Sequence, residues 1–152
     1  MLVQWAVVAA YVLAMFFFTR QDVSGAGHTA QLLARLLPHL SGAELRQLVF
    51  LLRKAGHVLA YALLTFLVYR AASRTKKLQG RPVLVSMLFS LLVAAGDESF
   101  QSRLQHRSGM FNDVLIDGLG ISAAAAMLWL RVRLQSKHHK EVVEDNVENE
   151  CI

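Results

Sequence analysis

Carboxylates and a histidine interrupt the apolar stretches of this chain. Asp97 and Glu98 end one stretch, Asp113 and Asp117 begin the next, and His57 opens a third. An ionisable side chain in a helix that must sit in lipid is costly unless it meets a partner or performs a function. Carboxylates and histidine can transfer protons or ligate metal ions. These residues therefore predict a functional site, with His57, Glu98 and Asp117 as its candidate catalytic residues.

Helical spacing places further polar residues on the same faces. Lys54, His57 and Tyr61 are separated by three and four residues, and Gln101 follows Asp97 by four. The next connection adds three side chains that can meet carboxylates or phosphate, namely Arg103, His106 and Arg107. We expect one pocket at one membrane face, where three helix ends converge. Its predicted ligand-binding residues are Lys54, His57, Tyr61, Asp97, Glu98, Gln101, Arg107, Asp113 and Asp117.

Some of these residues have an equally good structural explanation. His57 and Tyr61 fit a hydrogen-bonded pair that satisfies two buried polar groups. Asp113, which follows Asn112, is suited to capping the next helix. The two arginines of the connection are also explained as solvated loop charges. The sequence leaves these alternatives open.

Asp97 and Asp117 are harder to explain structurally. Asp97 lies near the predicted end of a helix, where the helix dipole disfavours a negative charge. Asp117 lies one turn inside the following helix and has no capping role. It requires a buried partner, for which the sequence offers Arg107, Lys54 or His57.

Apolar side chains make up 55% of the 152 residues, which favours a membrane protein. Residues 1–18 carry no charge, and as a helix they extend about 27 Å, close to the roughly 30 Å hydrocarbon core of a bilayer. Further spans are predicted at 55–69, from Pro82 to residue 96 or 100, and at 114–130. A signal peptide is the alternative for residues 1–18, but the segment lacks a basic n-region and a small-residue cleavage site. We therefore expect it to be retained as a span.

The segment between the first two spans, residues 20–53, is amphipathic. Its leucines recur at helical spacing up to a break at Pro38, and Ser41 with Glu44 forms a predicted capping box for a second helix. Interleaved arginines favour a position on the membrane surface. Partner binding or packing over the helix bundle would produce the same pattern.

The predicted fold is an all-α polytopic membrane protein: a bundle of four transmembrane helices with an amphipathic surface segment between the first two. Residues 1–136 would form the membrane domain and residues 137–152 a flexible charged cytoplasmic tail. Gly118, Gly120 and the alanines at 123–126 are expected to let helices approach closely. The loop at 70–81 contains five bases and no acid, so the positive-inside rule places both termini in the cytoplasm of a multi-pass protein of the cell membrane.

The formal net charge of +5 hides an asymmetry along the chain. All 16 Lys and Arg lie within residues 1–140, whereas the last twelve residues contain five acids. Membrane orientation explains the basic segments, and no nucleic-acid partner is predicted. Because Cys151 is the single cysteine, an intramolecular disulfide is excluded. Prenylation requires a cysteine fourth from the end, and Cys151 does not stand there.

The polar motifs resemble those of the VanZ-like family of integral membrane proteins. The stretch from Arg53-Lys54 through His57 to Tyr61 looks like that family's basic pair, histidine and tyrosine at a helix start. Similar elements follow in order as Asp97-Glu98-Ser-Phe-Gln101, Arg107-Ser-Gly109 and Asp113-Val-Leu-Ile-Asp117-Gly-Leu-Gly120. Two departures affect the rim: Gln105-His106 stands where the family often has proline or a small residue, and Asp117 where it often has asparagine. The resemblance implies a bacterial envelope protein, and the family's namesake is associated with lowered susceptibility to teicoplanin.

Two functions are compatible with these features. In the first, a non-enzymatic protein binds an anionic lipid or cell-wall precursor headgroup in an outward-facing pocket, where Lys54, Arg103 and Arg107 meet phosphate. In the second, a membrane-embedded hydrolase or transferase acts on a lipid-linked substrate, with His57 or Glu98 as base. No cofactor is predicted, but in this second function Asp113 or Asp117 would be able to bind a divalent metal ion. Ion-coupled transport would need a homodimer, because acids at one end of four helices give no path across the membrane.

Overall fold

The computed structural model describes residues 1–101 and 111–150, with side chains described over 1–18, 27, 29–99 and 115–136. Its elements are α1 (Leu2–Leu36), α2 (Gly42–Ser73), α3 (Pro82–Gln101) and α4 (Phe111–Glu150). Within the described ranges there is no strand, and the all-α prediction is confirmed.

Three stretches of helix are long and apolar enough to cross a membrane, namely Gly42–Ser73, Pro82–Ser99 and Leu115–Ser136. Leu2–Phe18 is apolar but shorter, and its length as a helix is about 26 Å. The chain therefore has the helices of a multi-pass membrane protein. That Leu2–Phe18 makes a fourth crossing, and that the termini are cytoplasmic, stay predictions.

The first two helices are longer than the spans that the hydropathy predicted. α1 continues beyond residue 18 to Leu36, where the Leu37 N–H still reaches the Leu33 carbonyl at 2.8 Å. Pro38 follows, and the residue before a proline is disfavoured in helical conformation. A helix thus ends where the backbone cannot continue, and polar side chains at residues 19–36 do not stop it. The predicted surface segment consists of the outer parts of α1 and α2, and its place on a membrane surface stays a prediction.

Local rules account for the starts of α2 and α3. Ser41 caps α2: its hydroxyl accepts from the Glu44 N–H at 3.3 Å, and its own N–H donates to the Glu44 carboxylate at 2.8 Å. The predicted capping box is confirmed. Pro82 is the first residue of α3, a position where its missing N–H costs no hydrogen bond. α4 continues to Glu150, and the predicted division of the chain at residue 136 is not tested by the fold.

α2 is the central helix of the bundle. It packs against α1, α3 and α4, and α3 also packs against α4. The core between them is built from seven buried side chains, Val8, Tyr61, Leu64, Val68, Ala71, Ala94 and Ile121. Three hydroxyl residues are fully buried in the same region, namely Thr65, Ser86 and Ser90. Thr65 Oγ1 lies 2.8 Å from the Tyr61 carbonyl oxygen and 3.0 Å from Ser90 Oγ, which links α2 to α3.

Contacts at the start of α1 set its direction relative to α2. The Trp5 indole donates to Thr75 Oγ1 at 3.1 Å, and the Gln4 side-chain oxygen accepts from the Arg74 guanidinium. Farther along, the Tyr11 hydroxyl donates to the Ala60 carbonyl at 3.0 Å. α1 therefore runs antiparallel to α2, and its N-terminus lies beside the connection between α2 and α3.

α2 and α4 approach each other closely at Gly120. A Cβ atom added there would lie 2.2 Å from the Val58 carbonyl oxygen, whereas one added at Gly118 would meet nothing within 4 Å. Ala124 and Ala125 are buried, and their neighbours at 123 and 126 are exposed. Of the small residues predicted to allow close approach, Gly120 is crowded and Ala124 and Ala125 are buried, whereas Gly118 has open space around it.

Candidate functional site

The site begins with a contact between α2 and α4. His57 Nδ1 lies 3.4 Å from Asp117 Oδ1, and the two side chains are 29% and 7% exposed. The contact follows from the helix packing, because Val58 and Gly120, which meet backbone to backbone, lie one residue and three residues away from this pair. Asp117 thus has His57 as its partner, and the imidazole is only partly buried.

Tyr61 brings α3 into the same site. It lies one turn after His57 in α2 and is only 1% exposed. Its hydroxyl lies beside the Asp97 carboxylate, with Asp117 and Glu98 close enough to interact with it electrostatically. No described residue completes a well-formed hydrogen bond to that hydroxyl. Three helices therefore contribute to a shared volume: α2 with His57 and Tyr61, α3 with Asp97 and α4 with Asp117.

Glu98 adjoins this volume on α3, and Lys54 lies one turn before His57 in α2. Asp97 is 7% exposed, and the neighbouring Glu98 is half-buried with its Oε1 atom inside the protein. The Lys54 ammonium lies 5.4 Å from the centroid of the Phe50 ring, on its own helix. We refer to His57, Tyr61, Asp97 and Asp117 below as the polar cluster.

The polar cluster borders a cleft of about 360 Å³ between α1 and α2. α1 forms one wall and α2 the other, and Asp97 reaches the cleft from α3. The lining residues are Tyr11, Ala14, Met15, Phe18, Arg53, Gly56, His57, Ala60, Tyr61 and Asp97. The wall from α1 is hydrocarbon and aromatic. The titratable side chains opposite it are those of Arg53, His57 and Asp97, and we refer to the part of the cleft that they line as its charged end. The cleft is therefore amphipathic.

The structure brings together part of the predicted ligand-binding set. His57, Tyr61, Asp97 and Asp117 converge, with Glu98 adjoining them, whereas Lys54 is not part of the cleft lining. Other predicted members lie outside the described side chains or residues, namely Gln101, Arg103, His106, Arg107 and Asp113.

Several lining residues were not among the predicted ones. In the sequence Arg53 is part of a basic pair with no assignment to the site, and the α1 residues from Tyr11 to Phe18 have the pattern of a plain membrane span. Tyr11 carried a weak signal, because it is a polar-tipped side chain inside an uncharged apolar stretch. The remaining α1 residues carried none, since their role depends on how α1 packs against α2.

The described residues offer limited means of holding a metal ion. Over the ranges with described side chains, no group of three or more His, Cys, Asp or Glu residues is arranged to bind one. The polar cluster can instead move or orient a proton. A histidine beside a carboxylate is a common arrangement of a base and the group that orients it. Here Nδ1 and Oδ1 are 3.4 Å apart, and no described residue donates a hydrogen bond to Asp117 Oδ1.

The comparisons with known proteins agree with the resemblance of the motifs. The model of the VanZ/LLP1 family matches residues 4–132. That range includes α1 to α3 and most of the described side chains of α4, and it contains every residue of the polar cluster. No curated protein and no solved structure matches the chain at a significant level.

Proposed function

The chain belongs to the VanZ/LLP1 family, and on that premise we propose that it binds the phosphate-bearing headgroup of an anionic lipid or lipid-linked cell-wall precursor at the polar cluster. The observation that carries this proposal is a pair of buried carboxylates between membrane helices: Asp97 lines the cleft, and Asp117 lies behind the lining residue His57. Such groups in membrane helices are expensive to keep without a function.

The mixed charge of this end suits a headgroup with both acceptors and donors. Arg53 lines the cleft and supplies a positive charge for phosphate. Asp97 and the Tyr61 hydroxyl can accept from hydroxyl or ammonium groups on the rest of the headgroup. A sugar phosphate or an amino-alcohol phosphate presents both kinds of group. The charge pattern therefore favours a composite headgroup over inorganic phosphate.

Thermal unfolding of the purified protein in detergent tests this proposal. Soluble headgroups such as glycerol phosphate, and short-chain lipid phosphates, are titrated against wild type, Asp117→Asn and His57→Ala. Ligand at about one hundred times its Kd should stabilise wild type by about 2.7 kcal/mol, and both variants should lose that gain.

His39→Ala is the matched control, because His39 is an exposed histidine in the turn before α2. It should respond to ligand as wild type does. Wild type that is not stabilised by any of these headgroups would refute the proposal. Circular dichroism establishes that each variant is folded.

We also propose a consequence for the bacterial envelope, supported by family membership: occupancy of the cluster lowers susceptibility to teicoplanin-type lipoglycopeptides. Cells that express wild type should tolerate more teicoplanin than cells that express Asp117→Asn at equal membrane abundance. Equal tolerance at equal abundance would refute this link. Reduced abundance of Asp117→Asn would instead assign the residue a structural role.

A second function is favoured by the 3.4 Å contact between His57 and Asp117. In a hydrolase, Asp117 holds the imidazole by its Nδ1 side, and His57 Nε2 takes a proton from water. The water oxygen then forms a bond to phosphorus or carbonyl carbon, the bond to the leaving oxygen breaks, and that oxygen takes up a proton. Asp117→Asn should lower the rate of phosphate or acid release by about a hundredfold or more. Wild type that releases no product from lipid phosphates, pyrophosphates or esters would exclude this function.

A further inference from the structure

We infer that the cleft between α1 and α2 holds a hydrocarbon chain of the same lipid whose headgroup meets the polar cluster. This inference rests on the proposed headgroup binding and narrows its ligand to molecules that carry a long apolar chain. The ligand would then enter from the bilayer, and a free soluble phosphate would fill only the charged end of the site.

The wall supplied by α1 is suited to a chain because it offers no free polar group. Ala14, Met15 and Phe18 are apolar, and the Tyr11 hydroxyl is already bound to the Ala60 carbonyl at 3.0 Å. Tyr11 therefore presents only its ring to the cleft. From Tyr11 to Phe18 the wall extends about 10 Å along the helix axis. A soluble polar ligand would gain no hydrogen bond along this wall.

Small residues create the space opposite that wall. Gly56 and Ala60 line the cleft from α2, and a Cβ atom added at Gly56 would meet nothing within 4 Å. The open volume is therefore not closed by a neighbouring side chain. Its size, about 360 Å³, is within the range of small-molecule sites.

The direction of the cleft matches the direction of a lipid. Because α1 and α2 are antiparallel and Tyr11 meets Ala60, Phe18 lies toward the Arg53 end of the cleft. A phosphate at Arg53 would place its chain along α1 toward Tyr11, which lies deeper in the bundle. The apolar wall thus begins beside Arg53 and continues to Tyr11, so a chain can follow it away from a headgroup held at Arg53.

The chain contributes packing and orientation more than affinity. It passes from bilayer hydrocarbon into an apolar cleft, so little hydrophobic free energy is gained, as for helices that associate within lipid. The headgroup then provides selection, and the chain fixes the ligand in one place. Filling the cleft should therefore displace a chain-bearing ligand and leave the binding of a chainless headgroup unchanged.

Photo-crosslinking in nanodiscs tests this inference. The probe is phosphatidylglycerol, whose headgroup carries both phosphate and hydroxyl groups, with a diazirine in the middle of one acyl chain, in discs of phosphatidylcholine. Labelled peptides from wild type should come from residues 11–18 and 56–60. Ala14→Trp should reduce that labelling about tenfold, the factor that corresponds to an overpacking penalty of about 1.4 kcal/mol.

Ala9→Trp is the matched control, because Ala9 is exposed on α1 and does not line the cleft. Its labelling should equal that of wild type. Gly56→Leu fills the cleft from α2 and keeps the test valid where Ala14→Trp fails to fold. Its own control is Gly96→Leu, since Gly96 also has open space and lies outside the lining.

Three outcomes separate this inference from the proposed function. Label spread over exposed residues such as Leu59, Leu88 and Leu119 would overturn the binding of a hydrocarbon chain in the cleft. If glycerol phosphate still stabilised the protein in a way that depends on His57, headgroup binding would stand despite that result. Equal labelling of Ala14→Trp and Ala9→Trp would also overturn the chain site. Cleft labelling that persists undiminished in Asp117→Asn and His57→Ala would overturn headgroup binding at the polar cluster.

Discussion

Gly120→Ala should push α4 away from α2 and thereby break the contact between His57 and Asp117. The new Cβ atom would lie 2.2 Å from the Val58 carbonyl oxygen, 2.9 Å from its carbonyl carbon and 3.1 Å from its Cα. All three are backbone atoms, so no flexible side chain can move aside. An ordinary van der Waals contact begins at 3.4 Å, and the helices must therefore separate by about 1.2 Å.

That displacement is large on the scale of the neighbouring contact. The His57–Asp117 distance of 3.4 Å would increase to about 4.6 Å if α4 moved directly away from α2 by the same amount. A separation of that size no longer supports a direct interaction between imidazole and carboxylate. Overpacking of this kind costs about 1–3 kcal/mol of folding stability. Gly120→Ala should thus lose both stability and the ligand response of the polar cluster.

Gly118→Ala provides the comparison in the same helix. Alanine favours a helix over glycine by about 1 kcal/mol, and this gain applies equally at both positions. Space around Gly118 is open, so its variant should be as stable as wild type or slightly more stable. Unfolding by denaturant in mixed micelles measures both proteins, with headgroup titration as the second assay. Equal stability of the two variants would refute the close approach at Val58.

Two further predictions concern the elements that hold the helices in place. Ser41→Ala removes the hydroxyl that accepts from the Glu44 N–H and keeps the backbone hydrogen bond from the Ser41 N–H to the Glu44 carboxylate. It should lower the stability of α2 by about 1 kcal/mol, measured as lost helicity and faster proteolysis near the turn. Ser41→Asp should restore most of that stability, and no difference between the two variants would contradict the cap. Ser90→Ala breaks the buried contact with Thr65 and should lower the free energy of unfolding by about 0.6 kcal/mol, measured by unfolding in mixed micelles. Ser99→Ala, at an exposed position, should leave it unchanged. An equal loss of stability in both variants would contradict a role for the buried pair.

The parts of the fold that a local chemical rule decides could be predicted from the sequence. The capping box at Ser41 and the proline start of α3 depend on a few neighbouring residues, and both are present. The convergence of His57 with Asp97 and Asp117 followed from helix order alone, because alternating helices return their ends to the same face. None of these predictions needed to specify which helices are in contact.

Features that depend on helix pairing could not be predicted in the same way. Gly118 and Gly120 are indistinguishable in sequence, and only the position of Val58 decides which one is crowded. The cleft is another example, since Ala14 and Phe18 read as ordinary membrane-span residues until α1 is placed against α2. Hydropathy gives too short a length for α1 for a different reason. Polar side chains end a membrane span, but a helix continues until a residue such as Pro38 stops it.

The position of α1 has a kinetic consequence. Its extensive packing is with α2 alone among the described helices, and the same interface forms the cleft. If a lipid enters by local separation of these two helices, that separation breaks the hydrogen bond between Tyr11 and Ala60. Exchange of a lipid would then be governed by how often that interface opens. Tyr11→Phe would accelerate loading and release together and leave the equilibrium occupancy almost unchanged.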